Sequence, residues 1–180
     1  MVKQYHTPKI PPNWVLRRIV KCLKYNPKTG NLIWITNYHK NLIGKIAGAV
    51  NGNYIQICFH NKNKQITLKA HHICWFLYYG EWPPRQIDHE DTNGLNNKIR
   101  NLRLATSKQN RTNQGSRSNN KTGIIGVCFD KNRNKYRVQI AINKKQQHLG
   151  FFTDLNQAKI VRRKAEKQYY NKFRYKQKRK

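Results

Sequence analysis

The stretch Ile87–Asn110, IDHEDTNGLNNKIRNLRLATSKQN, holds Asp88, Glu90 and Asp91, three of the chain's seven acidic residues, and Glu81 lies just upstream. Around them stand 37 Lys and Arg in 180 residues, for a formal charge of +30. Carboxylates hold hard cations and an imidazole exchanges protons near neutral pH, so acids gathered beside His89 bear on those two chemistries. Asp88 and His89 are adjacent, and on a strand adjacent side chains point to opposite faces. Taken alone, the pair reads as a buried Asp bonded to a turn amide beside a surface His. The wider spacing is more selective. His89, Asn101 and Asn110 are separated by twelve and nine residues, with an Asn/Gly turn between the first two.

A short strand, a turn-rich loop and the start of a helix are expected over 85–110, with Asn110 on the helix. Upstream, NWVLRRIVKCLKY (13–25) places Trp14, Ile19 and Leu23 at roughly helical spacing. NPKTGNLIW reads as a turn and a strand, and NYIQICFHNKNKQITLKAHHI as two strands about a polar turn. HHICWFLYYGEWPP reads as a helix with Ile73, Phe76 and Leu77 on one face, stopped by Gly80 and Pro83-Pro84.

These blocks, in this order over most of residues 24–111, resemble the HNH nuclease family, specifically phage and intron-encoded homing endonucleases of HNN type. The resemblance implies a ββα-metal fold with one divalent cation between hairpin and helix. Asp88 and Asn110 would supply oxygen ligands, which suit Mg²⁺ or Mn²⁺ better than zinc. His89 would be the general base toward water, and Asn101 would tie the loop to backbone groups. Cleavage of a phosphodiester leaving a 5′ phosphate is likewise an implication of the family. Glu90 and Asp91 read either as groups supporting the ligands or as turn residues, the turn reading being preferred, and Asn93, Asn96 and Asn97 read as turn formers. His71 falls where relatives carry His in an HR pair, with His72 in the Arg position, and reads as a core or loop-bracing group. His6, His39, His60 and His148 read as surface residues, and the four Trp as core.

NRTNQGSRSNNKTG (110–123) has no aliphatic or aromatic residue and reads as a linker. Beyond it IIGVCFD, KYRVQIAI and QQHLGFF read as three strands. A helix capped by Thr153 or Asp154 follows from about 155 to 171, with Ala158, Val161, Ala165 and Tyr169 on its apolar face. TGIIGVCFDKNRNKYRVQI, HLGFF and DLNQAKIVRRKAEKQYY resemble the AP2/ERF DNA-binding domain, though Ile125 replaces a DNA-contacting Arg of that pattern. Tyr136, Val138, Ile140 and Ile142 alternate with Arg137 and Gln139, which are expected to face a DNA groove. Lys131, Arg133 and Lys135 are expected on phosphates.

The fold expected is thus α+β: a ββα-metal domain over 1–110, a linker over 111–122, a three-stranded antiparallel sheet packed on one helix over 123–171, and a basic tail over 172–180. A charge of +30 and pI near 10.4 point to a polyanion, here double-stranded DNA, bound by a monomer or weak dimer without a protein partner. No apolar run is long enough for a membrane span, no signal-peptide core is visible, and four scattered cysteines form no zinc spacing. A cytoplasmic, unsecreted protein is expected. The functions weighed are a metal-dependent DNA endonuclease, a non-catalytic DNA-binding descendant of one, and a basic RNA-binding protein, which leaves the acid cluster unexplained.

Overall fold

The computed structural model describes residues 7–36, 41–113, 120–143 and 145–170. They fall into two compact units, Met1–Asn110 and Arg111–Lys180. In the first, Pro12 precedes α1 (Asn13–Cys22), which buries Val15, Ile19 and Cys22. Leu23, expected on this helix, instead opens β1 (Leu23–Asn26), because the chain turns extended there (φ −124°, ψ 139°) and Leu23 pairs with Trp34 of β2 (Asn31–Trp34). Leu23 is buried all the same, but on a strand rather than a helix.

Next, β3 (Ala49–Asn51), β4 (Tyr54–Asn61) and β5 (Lys64–Lys69) form an antiparallel sheet in that order. Alternation sends Ile57 and Phe59 inward, opposite Leu68 and Ile66, and leaves Gln56, Cys58 and His60 on the other face. α2 (Ala70–Tyr79) ends at Gly80, whose φ of 78° lets its N–H bond the Phe76 carbonyl. Its fully buried face is Ile73, Cys74 and Trp75, with Phe76 and Leu77 only partly covered. The hairpin β6 (Gln86–His89) and β7 (Leu102–Ala105) follows, then α3 (Ser107–Thr112). One core unites these pieces: Ile19, Leu32, Phe59, Ile73, Ile87 and Leu102 all belong to it. Burying each such side chain contributes about 1.5–3 kcal/mol. Through Ile87 and Leu102 the β6–β7 hairpin is anchored in that core.

The second unit holds β8 (Val127–Asp130), β9 (Lys135–Ile142) and β10 (Lys145–Phe152), antiparallel in the order β10-β9-β8, and α4 (Leu155–Tyr170). Asp154 caps α4, its Oδ2 accepting from the Gln157 N–H at 2.9 Å. Val138 and Ile140 are buried on one face, and Val127, Val138 and Ala158 form the core. Two expectations change here. The first strand starts at Val127, not Ile124, because Gly126 takes φ 75° just before it. Tyr169 is 41 % exposed, and the position buried on α4 between Ala158 and Ala165 is Arg162. Arg162 Nε donates to the Ile125 carbonyl at 2.7 Å, and Nη2 lies 3.1 Å from Glu166, so the charge is partnered.

Residues 111 and 112, expected in a linker, continue α3. His6, His39, residues 114–119 of the linker and the basic tail lie outside the described residues. No described helix is long and apolar enough to cross a membrane.

Candidate active site

The loop between β6 and β7 is held from within and from two sides. Asp91 is its hub. Its Oδ1 accepts from the Asn93 N–H (2.9 Å) and Asn101 Nδ2 (2.9 Å), and its Oδ2 from Asn96 Nδ2 (2.8 Å). Burial alone would raise the Asp91 pKa, but the bonds from Asn96, Asn93 and Asn101 outweigh it and hold the carboxyl below its ordinary range. Asn101, in a single 3₁₀ turn (Ile99–Asn101), accepts from the Asp91 N–H through Oδ1 at 3.0 Å and donates to the Asn96 carbonyl at 2.7 Å. The bonds hold Thr92 at φ 63°, an unfavourable conformation for a β-branched residue.

The first side clamp is the β1–β2 turn. Gly30, at φ 84°, lies so close that a Cβ would sit 2.6 Å from the Lys98 nitrogen, and the Tyr25 hydroxyl donates to the Asn97 carbonyl at 2.6 Å. The second is the β3–β4 turn, where a Cβ on Gly94 would fall 2.1 Å from the Asn53 carbonyl oxygen and 2.8 Å from the Tyr54 ring. Only glycine permits either approach.

Within this frame His89 is 6 % exposed. Its Nε2 lies 3.1 Å from Asn97 Oδ1; an amide oxygen only accepts, so the bond places the imidazole proton on Nε2. Burial pushes the His89 pKa down, against the Asn97 bond and the carboxylates of Asp91 and Asp88, so the ring is neutral at neutral pH. His71 packs edge-on to it, ring centroids 5.0 Å apart, with Tyr54 against both. Burial, with His72, His89 and Lys69 nearby, pulls His71 well below the ordinary imidazole range, and its Nδ1 is buried without a hydrogen bond.

Asp88 points to the other face of β6 and is 3 % exposed. There Arg103, its register partner on β7, donates from Nε to Asp88 Oδ2 at 2.8 Å, while Nη2 lies 2.8 Å from the same oxygen but is poorly aligned for a second bond. Asn110 is set in the first turn of α3 by a capping box. Thr106 Oγ1 accepts from the Gln109 N–H and Gln109 Oε1 from the Thr106 N–H. Asn110 Nδ2 donates to Gln86 Oε1 at 3.2 Å, and Gln86 shares a β6 face with Asp88. Asp88 and Asn110 thus stand on neighbouring elements as hard oxygen donors, the type that suits Mg²⁺ or Mn²⁺ with water and phosphate completing the shell. The Arg103 guanidinium is the competitor for Asp88. Among the described residues no three His, Cys, Asp or Glu side chains cluster as a metal site.

Of the five basic-unit residues singled out from the sequence, Lys131, Arg133, Lys135 and Arg137 are exposed and Gln139 is half-buried. Arg133 is tied to Asp130 (3.3 Å) and sits 4.8 Å from the Phe151 ring centroid. Arg137 and Gln139 face away from buried Val138 and Ile140. Sequence reasoning reads Asn97 as a turn former and prefers a turn role for Asp91 over a supporting role at the site. The signal available was their place in an Asn-rich loop beside His89, which spacing alone does not resolve into roles.

Residues 68–112 match the HNH endonuclease family, a segment that contains Asp88, His89, Asn101 and Asn110. Protein 3.8 of Escherichia phage T7 is 37 % identical over 62 residues, which are 34 % of this chain and 51 % of that protein. The chain therefore spans about half the length of this curated relative. No solved structure matches. Asp88, His89, Asn97, Asn101 and Asn110 thus lie in an HNH endonuclease domain at residues 68–112, while Tyr25, Gly30 and Tyr54 pack on it from outside that segment.

Proposed function

We propose that the chain is a metal-dependent DNA endonuclease that hydrolyses phosphodiester bonds, of homing type, with an AP2/ERF-like second unit that grips DNA. The observation that carries the reading is His89: a buried, neutral imidazole with its proton fixed on Nε2 by Asn97, inside the segment that matches the HNH endonuclease family. With Nε2 occupied as donor, Nδ1 is the atom that takes the proton from an attacking water. Asn97 holds the tautomer while that proton is transferred, and Asp91 with Asn101 keeps the loop from shifting. Asp88 and Asn110 are the residues that would hold Mg²⁺ or Mn²⁺, one ion per site. The chemistry such an ion supplies is stabilisation of charge on the leaving 3′ oxygen.

In the second unit, Arg137 and Gln139 would reach base edges while Lys131, Arg133 and Lys135 neutralise phosphates. A second reading, a DNA-binding protein without cleavage, is favoured by one observation, the Arg103 guanidinium on Asp88. Supercoiled plasmid incubated with the chain decides. Open-circular or linear product with Mg²⁺ and none with EDTA supports the endonuclease. A mobility shift without cleavage in either buffer supports the second reading.

A further inference from the structure

One cation stands on the Tyr54 ring that packs beside His89, apart from the proposed ligands and base. Lys69 ends β5, immediately before α2, and its side chain is exposed. Its Nζ lies 4.3 Å from the centroid of the Tyr54 ring, a cation–π contact. That ring is itself fixed: Gly94 of the β6–β7 loop presses on it, and its centroid is 6.0 Å from that of His89. The ammonium is close enough to disfavour protonation of His71, His72 and His89 alike. β3, β4 and β5 contain no carboxylate. Register sets Gln56 opposite Lys69 and Cys58 opposite Thr67, so the outward face leading to Tyr54 is polar and uncharged apart from the lysine.

We infer that Lys69, carried on the Tyr54 ring, contacts a phosphate of the DNA strand that enters the His89 site. The strand's path would then run onto the outward face of the β3–β4–β5 sheet. The inference rests on the endonuclease reading for the word cleavage, but the contact itself is electrostatic. A fixed ammonium replaces one condensed counterion and places the phosphate relative to the imidazole.

Lys69→Gln in the full chain is the test, with Lys69→Arg as the charge-conserving variant and Lys21→Gln, on exposed α1 surface, as control. Plasmid nicking in Mg²⁺ is expected to fall about tenfold or more for Lys69→Gln, to recover for Lys69→Arg and to be unchanged for Lys21→Gln. Binding of a labelled DNA duplex across a salt series, in EDTA, is expected to show a slope of log K against log salt lower by about one for Lys69→Gln. Nicking by Lys69→Gln within about twofold of the unsubstituted chain overturns the assignment, since a charged hydrogen bond to substrate is worth more than that. If the unsubstituted chain does not nick at all, the endonuclease reading fails and the salt slope alone decides: a lower slope supports the phosphate contact and an unchanged slope overturns it.

Discussion

The two units bury polar groups for different ends. In the second, Arg162 is buried, its Nε donating to the Ile125 carbonyl and its Nη2 paired with Glu166, which joins α4 to the entry of β8. In the first, Asp88, His89, Asn97, Asn101 and His71 are all buried around one hairpin, though a small core built from Ile19, Phe59 and Ile73 does not require them. Buried polar groups are costly unless satisfied. Here the bonds of Asp91, Asn97 and Asn101 are arranged about an imidazole rather than about a helix, while His71 Nδ1 and Asn97 Nδ2 are buried without a hydrogen-bond partner among the described residues. The contrast separates a structural charge from a constellation that fixes one ring and its tautomer.

After His89 itself, the largest expected effect falls on Asp88, the proposed ligand. Asp88→Asn should cut plasmid nicking by roughly a hundredfold or more, with partial return in excess Mn²⁺ and with duplex binding retained. Arg162→Ala should destabilise the second unit by about 3 kcal/mol, read as loss of its thermal transition, because it strips a buried pair of one partner. Asn101→Ala should do the converse. It removes the bonds to Asp91 and Asn96, costs the first unit about 1–3 kcal/mol and lowers nicking, while leaving the second unit's transition in place. Equal effects of these two variants on nicking would erase the distinction between the units.

A smaller effect is expected from pH. Burial, with Lys69 and His89 nearby, holds His72 at about 4 rather than 6.5, so below 6.5 the unfolded chain binds a proton that the folded chain refuses. Stability of the first unit should therefore be complete above pH 6.5 and fall steadily toward pH 4, by at most about 3 kcal/mol from this group. Urea unfolding at a series of pH values measures it, and His72→Gln should flatten the slope.

Much of the secondary structure was legible, because periodicity and punctuation are local. The alternation in KYRVQIAI marks β9, and Gly80 before Pro83-Pro84 ends α2. The failures are non-local. Leu23 suits helical spacing, but pairing with Trp34 takes it into a strand. Tyr169 looked like core but is exposed, and the buried Arg162 is held by the Ile125 carbonyl, 37 positions away. At the site, His89, Asp88, Asn101 and Asn110 were identified through a family resemblance in their spacing. Asn97 was not, and for Asp91 a turn role was preferred to a supporting one, since an Asn or Asp in a turn looks alike in sequence whether it only closes the turn or also braces a site. Nor does sequence show that the turns at Gly30 and Gly94 close on the same loop from two sides.

The central claim is that the His89 imidazole, and not the basic surface alone, is the source of cleavage. His89→Ala in the full chain, assayed on supercoiled plasmid with excess Mg²⁺ beside duplex binding by anisotropy, tests it most directly. The account predicts nicking lower by roughly 10²–10⁴-fold with binding within about twofold of the unsubstituted chain. Nicking at the unsubstituted rate would contradict it.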